Sequence, residues 1–234
     1  ARLLPRGLRD TVLGYLYAEM AMRFDTSRAG QRRWYLTDGG HFENTGAYAL
    51  LQRRMKFILV CDNGADPDYR ADDLMRLLQR ARTDLGAHIS FLDTTELNDV
   101  LGTQSDMRRL FGAYDELVAR PDSTRKGGPY AALARIRYGR SVPAANGNDG
   151  WLMLIKPRLN FTEPPELLAY RQKDAGQRFP HPTTLDQFFD EDQWEAYRRF
   201  GEVVGERLFD ARADAPPDKW RPGDFLRLQT GLPE

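Results

Sequence analysis

The first half of the chain alternates between apolar stretches of two periodicities. Residues 8–24 place apolar side chains at helical spacing, which predicts an amphipathic helix. Residues 56–61 form an unbroken apolar run of strand length, typical of a strand covered on both faces. Residues 71–84 return to helical spacing, and residues 88–92 predict another strand. The side chains of the 71–84 helix predicted to face inward are Leu74, Leu77, Leu78 and Ala81.

Two further elements lie between the first predicted helix and the 56–61 strand. A short strand is predicted at residues 33–37, and a helix from about Asn44 to Arg54, with Asn44 as its cap. The resulting order is strand, helix, strand, helix, strand. It predicts an α/β fold with right-handed crossovers and a mostly parallel sheet that carries helices on both faces.

The second half of the chain follows a different pattern. Strand-like segments at 130–139 and 151–157 flank a stretch rich in Gly, Asn and Pro, which predicts an antiparallel hairpin with a long turn. Helices are predicted at 166–173 and 185–209, and a Pro-rich tail begins at Ala213. We therefore divide one predicted domain into a helix and loop (1–31), an α/β core (32–93) and a hairpin, helices and tail (94–234).

Composition limits the classes of function. The 234 residues suffice for one α/β domain. They carry 34 basic and 34 acidic side chains, so nucleic-acid binding through bulk charge is disfavoured. The single Cys61 excludes an intrachain disulfide and a multi-cysteine zinc site. No signal peptide or spanning segment is evident, which favours a cytoplasmic location. Since the chain opens on Ala1 in what looks like the middle of a helix, we interpret it as a piece of a longer protein.

Candidate chemistry concentrates at the end of the 33–37 strand. Asp38 is followed by Gly39 and Gly40, and paired glycines allow close approach of the backbone and positive φ. At the carboxyl edge of an open α/β sheet, such a carboxylate can orient a proton-carrying group or hold a metal. The competing interpretation is a strand-end Asp that closes a turn. The polar residues that crowd the same turn, as candidate supporting groups, are His41, Glu43 and Asn44.

Other titratable residues have less specific interpretations. His41 and Glu43 match the opening of a zinc deaminase signature, but a single cysteine cannot complete it. Glu43 is expected to reach a backbone N–H near the start of the next helix. Asp62 and Asp66 could join Asp38 in binding Mg²⁺ or Ca²⁺, although a solvated acidic loop is the preferred interpretation. His181, between two prolines, is expected to fix a loop.

The Asp-Gly-Gly segment and several later ones resemble patatin-like phospholipases and acyl hydrolases, in particular a large bacterial subgroup. The ordered set of matching segments is much more specific than the Asp-Gly-Gly triplet alone, and the likeness covers most of residues 35–201. The segments that carry it are residues 36–46, 55–67, 82–89, 179–184 and 193–198.

The resemblance implies a three-layer α/β fold and a Ser–Asp dyad, with Asp38 as the Asp. Asp38 would orient the serine hydroxyl and accept its proton, and burial would make it a better base. Gly39 and Gly40 would shape its turn and support the oxyanion side of the site. No serine of this chain lies in Gly-x-Ser-x-Gly, and no Gly-rich oxyanion loop precedes Asp38. The nucleophile is therefore expected on an upstream segment or a separate chain, and these residues alone should be inactive.

The resemblance thus predicts the C-terminal part of a serine acyl hydrolase acting on lipid esters. It implies no cofactor and no resident metal, a lipid or acyl ester as substrate, no nucleic-acid partner, and membrane association only through the parent protein. Two other classes stay open: a non-enzymatic scaffold or regulatory domain that kept the fold, and a metal-dependent hydrolase that uses Asp38, Asp62 and Asp66.

Overall fold

A computed structural model describes residues 38–101, 106–124, 126–139, 149–173, 179–182 and 188–209. The chain divides into two compact units, Ala1–His41 and Phe42–Glu234. Of the first unit, the described residues contribute a 3₁₀ turn, Gly39–His41. The predicted N-terminal helix, the predicted strand at 33–37, most of the long hairpin turn and the Pro-rich tail lie outside the described residues.

The second unit contains seven α-helices and four strands within the described residues. In chain order they are α1 (Ala47–Gln52), β1 (Phe57–Cys61), α2 (Asp72–Leu85), β2 (His88–Phe91), α3 (Thr94–Leu101), α4 (Asp106–Leu110), α5 (Tyr114–Val118), β3 (Ala131–Arg137), β4 (Asp149–Ile155), α6 (Pro165–Lys173) and α7 (Glu191–Phe209).

The four strands form one mixed sheet in the order β1-β4-β3-β2. β1 pairs in parallel with β4, whereas β3 is antiparallel to both β4 and β2. The prediction of a hairpin is confirmed, but that of a mostly parallel sheet is wrong. β1 and β2 run in the same direction, as a β-α-β unit requires, yet the hairpin is inserted between them. The reason is burial: β3 and β4 are apolar on both faces and occupy the centre of the sheet.

Helices cover both faces of the sheet, as predicted. On one face Ile58, Val60 and Leu152 pack against α1, α2 and α5. On the other face Leu133 and Met153 pack against α3, α6 and α7. The expectation that the first apolar run is covered on both faces is wrong: β1 lies at one edge of the described sheet, and Leu59 is 42% exposed on it.

The helix predictions succeed in the interiors of the elements and fail at their ends. In α2, Leu74, Leu77 and Ala81 are fully buried, as their spacing predicts. Helix α1 begins at Ala47, three residues later than expected. Helix α7 begins at Glu191, because the carboxylate of Asp190 accepts a hydrogen bond from the Gln193 N–H (2.7 Å) and so caps the helix there. None of the helices in the described ranges has the length and apolarity needed to cross a bilayer.

Candidate functional site

Asp38 lies in a tight turn at the end of the first unit. Its Oδ1 accepts a hydrogen bond from the Gly40 N–H at 2.9 Å, and its carbonyl accepts one from the His41 N–H at 3.2 Å. The side chain of Asp38 is exposed, so the burial expected of a catalytic base is not observed. The turn therefore fixes one carboxylate oxygen of Asp38.

The backbone conformation of Gly39 and Gly40 is not one that only glycine can adopt. Neither Gly39 nor Gly40 has positive φ. A Cβ on Gly39 would meet no atom within 4 Å. The positive φ that paired glycines allow is not used here, because a 3₁₀ turn has φ values that any residue can adopt.

Glu43 and Asn44 hold the start of α1 and its contact with α2. The carboxylate of Glu43 is buried and accepts hydrogen bonds from the N–H groups of Thr45 (2.6 Å) and Tyr48 (3.3 Å). This confirms the predicted bond from Glu43 to backbone near the helix start. Asn44 is not the cap; its side-chain amide donates to Asp73 at 2.8 Å, and Gly46 takes the cap position with φ 74°.

A buried ionic cluster lies where β1 and β4 end. In their parallel register Cys61 is opposite Ile155, so the next residues, Asp62 and Lys156, leave the sheet side by side. The ammonium of Lys156 is 3.0 Å from Asp62 Oδ2 and 2.9 Å from Asp66 Oδ2. Lys156 is 0% exposed and Asp62 is 5% exposed. We call these three residues the Lys156 cluster.

The electrostatics of the Lys156 cluster favour the charged forms of Lys156 and Asp66. Burial by itself lowers the pKa of Lys156, but the charges and hydrogen bonds of Asp62 and Asp66 outweigh it and raise that pKa. Burial by itself would raise the pKa of Asp66, because it disfavours the ionised carboxylate. Its bonds to Lys156 and to the N–H groups of Ala71 and Arg70 nevertheless hold its pKa below the ordinary value.

The Lys156 cluster matches neither of the two interpretations of the acidic loop. A solvated loop is wrong, because Asp62 is buried and Asp66 is partly buried. Metal binding gains no support either: among the described residues no three His, Cys, Asp or Glu side chains are grouped so as to hold a metal ion. In this structure Lys156 supplies the cation for both carboxylates.

His181 packs against the loop that joins β1 to α2. Its ring contacts Tyr69 edge-on, with the ring centroids 4.9 Å apart, and the residue is 3% exposed. Neither ring nitrogen has a hydrogen-bond partner among the described residues. Burial lowers the pKa of His181, and the charge of Lys156 lowers it further, against weaker opposite effects of the Gly64 backbone, Asp66 and Asp62. His181 is thus packed against a loop, and its burial favours the neutral ring.

A second polar network is built in part from residues that follow Lys156 in the sequence. The hydroxyl of Tyr130 and the N–H of Asn160 both donate to Glu163 Oε1, at 2.9 and 2.8 Å. Arg207 of α7 donates to the Tyr130 hydroxyl and, at 2.8 Å, to Thr162 Oγ1. Burial raises the pKa of Tyr130, and the charge of Glu163 adds to the effect. The network ties α7 to the start of β3.

Sequence reasoning missed Lys156 and the Glu163 network. A signal for Lys156 was present, since a charged residue directly follows each of two apolar runs, at 62 and 156. What the sequence could not show is that the two runs are neighbours.

Comparisons with known proteins found no family model, no curated protein and no solved structure that matches this chain.

Proposed function

We propose that this chain is the C-terminal part of a patatin-like serine acyl hydrolase and supplies the Asp of its Ser–Asp dyad. The observation that carries the proposal is the ordered set of segments around and after Asp38, which resemble that family in sequence order over most of residues 35–201. The nucleophile would come from an upstream segment or a separate chain, and the substrate would be a lipid or another acyl ester.

The turn at Asp38 supports this role in one respect. Oδ1 of Asp38 is held by the Gly40 N–H, so the carboxylate has a fixed orientation, and its exposure leaves it accessible to an incoming hydroxyl. In the proposed mechanism the carboxylate accepts the proton of the serine hydroxyl as the oxygen attacks the ester carbonyl. Backbone N–H donors on the missing segment would stabilise the oxyanion that forms.

The test compares the 234-residue chain with a longer polypeptide that includes the upstream sequence. We expect no hydrolysis of a p-nitrophenyl acyl ester by the chain alone, and turnover by the longer polypeptide. Asp38→Asn should lower that turnover by about 10²–10⁴-fold, the range for loss of a general base. As a matched control, Asp72→Asn removes an exposed carboxylate that pairs with exposed Arg70, and it should leave turnover unchanged.

Two outcomes would reject the proposal. Turnover by the chain alone that is lost in Asp38→Asn would show that no second segment is needed. An upstream sequence without Gly-x-Ser-x-Gly, together with an inactive longer polypeptide, would favour the scaffold interpretation.

A further inference from the structure

We propose that residues 179–182 form an acid-sensitive latch, in which the neutral ring of His181 closes onto the loop between β1 and α2 and protonation of that ring opens it. We call this segment the His181 latch. This latch is independent of the proposed hydrolase activity and concerns the packing of His181 on the loop between β1 and α2.

The His181 latch is held at two points, Phe179 and His181. Phe179 anchors one end in the core, where it contacts the rings of Tyr170, Tyr197 and Phe200 edge-on. His181 reaches the loop between β1 and α2 and packs on Tyr69. Neither ring nitrogen makes a hydrogen bond of good geometry within the described residues, and the Gly64 backbone has only a weak effect on the ring, so packing supplies most of the hold at this end.

Charged and titratable groups from two elements face His181. From β4 comes the ammonium of Lys156, and from the loop between β1 and α2 come Asp62, Asp66 and the phenol of Tyr69. Both carboxylates are already engaged by Lys156. Burial raises the pKa of Tyr69 to about 12, so the phenol is neutral at any pH relevant to the latch.

The neutral and the protonated ring of His181 differ in the free-energy cost of their burial at this position. The neutral ring is tolerated by the packing. The protonated ring would bury a second cation beside Lys156, and the Gly64 backbone, Asp66 and Asp62 offset that cost only in part, so burial of the charged form is more costly. In the open form water solvates both N–H groups. Protonation therefore favours opening.

The experiment uses urea unfolding of the 234-residue chain between pH 8 and pH 5. His181→Phe keeps the ring and removes the proton site, and His88→Gln is the control, since His88 is an exposed histidine on β2. We expect the unfolding constant of the wild type, relative to His181→Phe, to be flat above about pH 6.5. Below that pH it should rise by up to tenfold per pH unit, the effect of one proton taken up on unfolding. His88→Gln should follow the wild type.

Hydrogen exchange distinguishes a local latch from global unfolding. After correction for intrinsic rates, amides of residues 62–71 should exchange at least about threefold faster at pH 5 than at pH 7 in the wild type, and not in His181→Phe. Equal pH dependence of wild type and His181→Phe in unfolding would overturn the proposal. So would equal loop exchange in the two proteins.

If His181→Phe does not fold, two further measurements still decide the question. His181→Gln is a second non-titrating variant for the same comparison. An NMR titration of the imidazole protons in the wild type should show His181 titrating below the ordinary histidine value of about 6.5. A midpoint for His181 at or above that value would overturn the proposal.

Discussion

Asp62 and Lys156 are 94 residues apart in sequence, yet they meet as a buried ion pair with Nζ and Oδ2 3.0 Å apart. The pair forms because β1 and β4 are adjacent and parallel, with Cys61 opposite Ile155. The backbone continues the register one residue further, since the Asp62 N–H donates to the Ile155 carbonyl at 2.9 Å. An ion pair thus joins the edge strand β1 and the central strand β4 just beyond their carboxyl ends.

Removal of the cation from the Lys156 cluster should be among the most damaging single substitutions in the described core. Lys156→Met leaves Asp62 and Asp66 without their shared counter-ion, and loss of one partner of a buried pair costs about 3–5 kcal/mol. Lys173→Met is the matched control. Its pair with Asp192 is 3.6 Å long and exposed on both sides, so its loss should cost less than about 1 kcal/mol. Urea unfolding at pH 7 measures both, and equal losses would refute the importance of the Lys156 cluster.

The contribution of Asp66 should disappear in acid. Its folded pKa is depressed, so its stabilising effect is fully present above the unfolded value of about 3.9 and is lost as pH falls through the folded pKa. The stability difference between wild type and Asp66→Asn should therefore be constant from pH 7 to about pH 5 and shrink below about pH 4. Denaturation curves at each pH provide the measurement. A difference that does not change down to pH 2.5 would contradict the assignment.

The pKa of Lys156 is raised in the folded state. Its contribution to stability is therefore lost at alkaline pH, whereas that of Asp66 is lost in acid. The contribution of Lys156 is fully present below the unfolded value of about 10.4 and is lost only as pH rises through the folded pKa. The stability difference between wild type and Lys156→Met should thus persist at pH 9. Its disappearance between pH 7 and pH 9 would show that Lys156 is not held in its charged form.

The hydroxyl of Tyr130 should contribute measurably to the free energy of unfolding. Tyr130→Phe removes a donor to Glu163, which is 4% exposed, and leaves that buried carboxylate with fewer partners. We expect a loss of about 1–3 kcal/mol. Tyr48→Phe is the control, because the hydroxyl of Tyr48 makes a longer, exposed contact of 3.5 Å with Asp84. Thermal unfolding of both variants tests this, and comparable shifts in the two would argue against the network.

Two glycine substitutions should act in opposite directions. A Cβ on Gly150 would lie 2.9 Å from the Met55 carbonyl oxygen and 3.2 Å from that of Lys56, so Gly150→Ala should push β1 and β4 apart and cost about 1–3 kcal/mol. Gly201 is exposed on α7 with nothing within 4 Å of a Cβ, so Gly201→Ala should stabilise the helix by up to about 1 kcal/mol. Denaturation midpoints compare them. A neutral Gly150→Ala would show that the two strands can separate without cost.

Much of the fold could be predicted from local pattern. The buried positions of α2 follow from the spacing of Leu74, Leu77 and Ala81, and the hairpin of β3 and β4 follows from two apolar runs around a turn-rich stretch. The sheet order could not be predicted in this way, because no local sequence feature of β1 or β2 indicates that a later hairpin is inserted between them. The same distinction applies to the candidate site. The hydrogen bond from the Thr45 N–H to Glu43 was predictable because the two residues are two positions apart in sequence. The bond from Asn44 to Asp73 was not, because it joins residues 29 positions apart.

The sequence by itself determined the periodicities, the strand and helix interiors, and the Asp-Gly-Gly turn, because each depends on residues within a few positions of one another. Only the tertiary structure decided which strand ends are neighbours, and hence that Lys156 lies between Asp62 and Asp66 and that His181 is buried on Tyr69. The physical reason is that burial and ionic pairing depend on distance in space. For residues from separate elements that distance is set by the packing of the whole sheet and its helices.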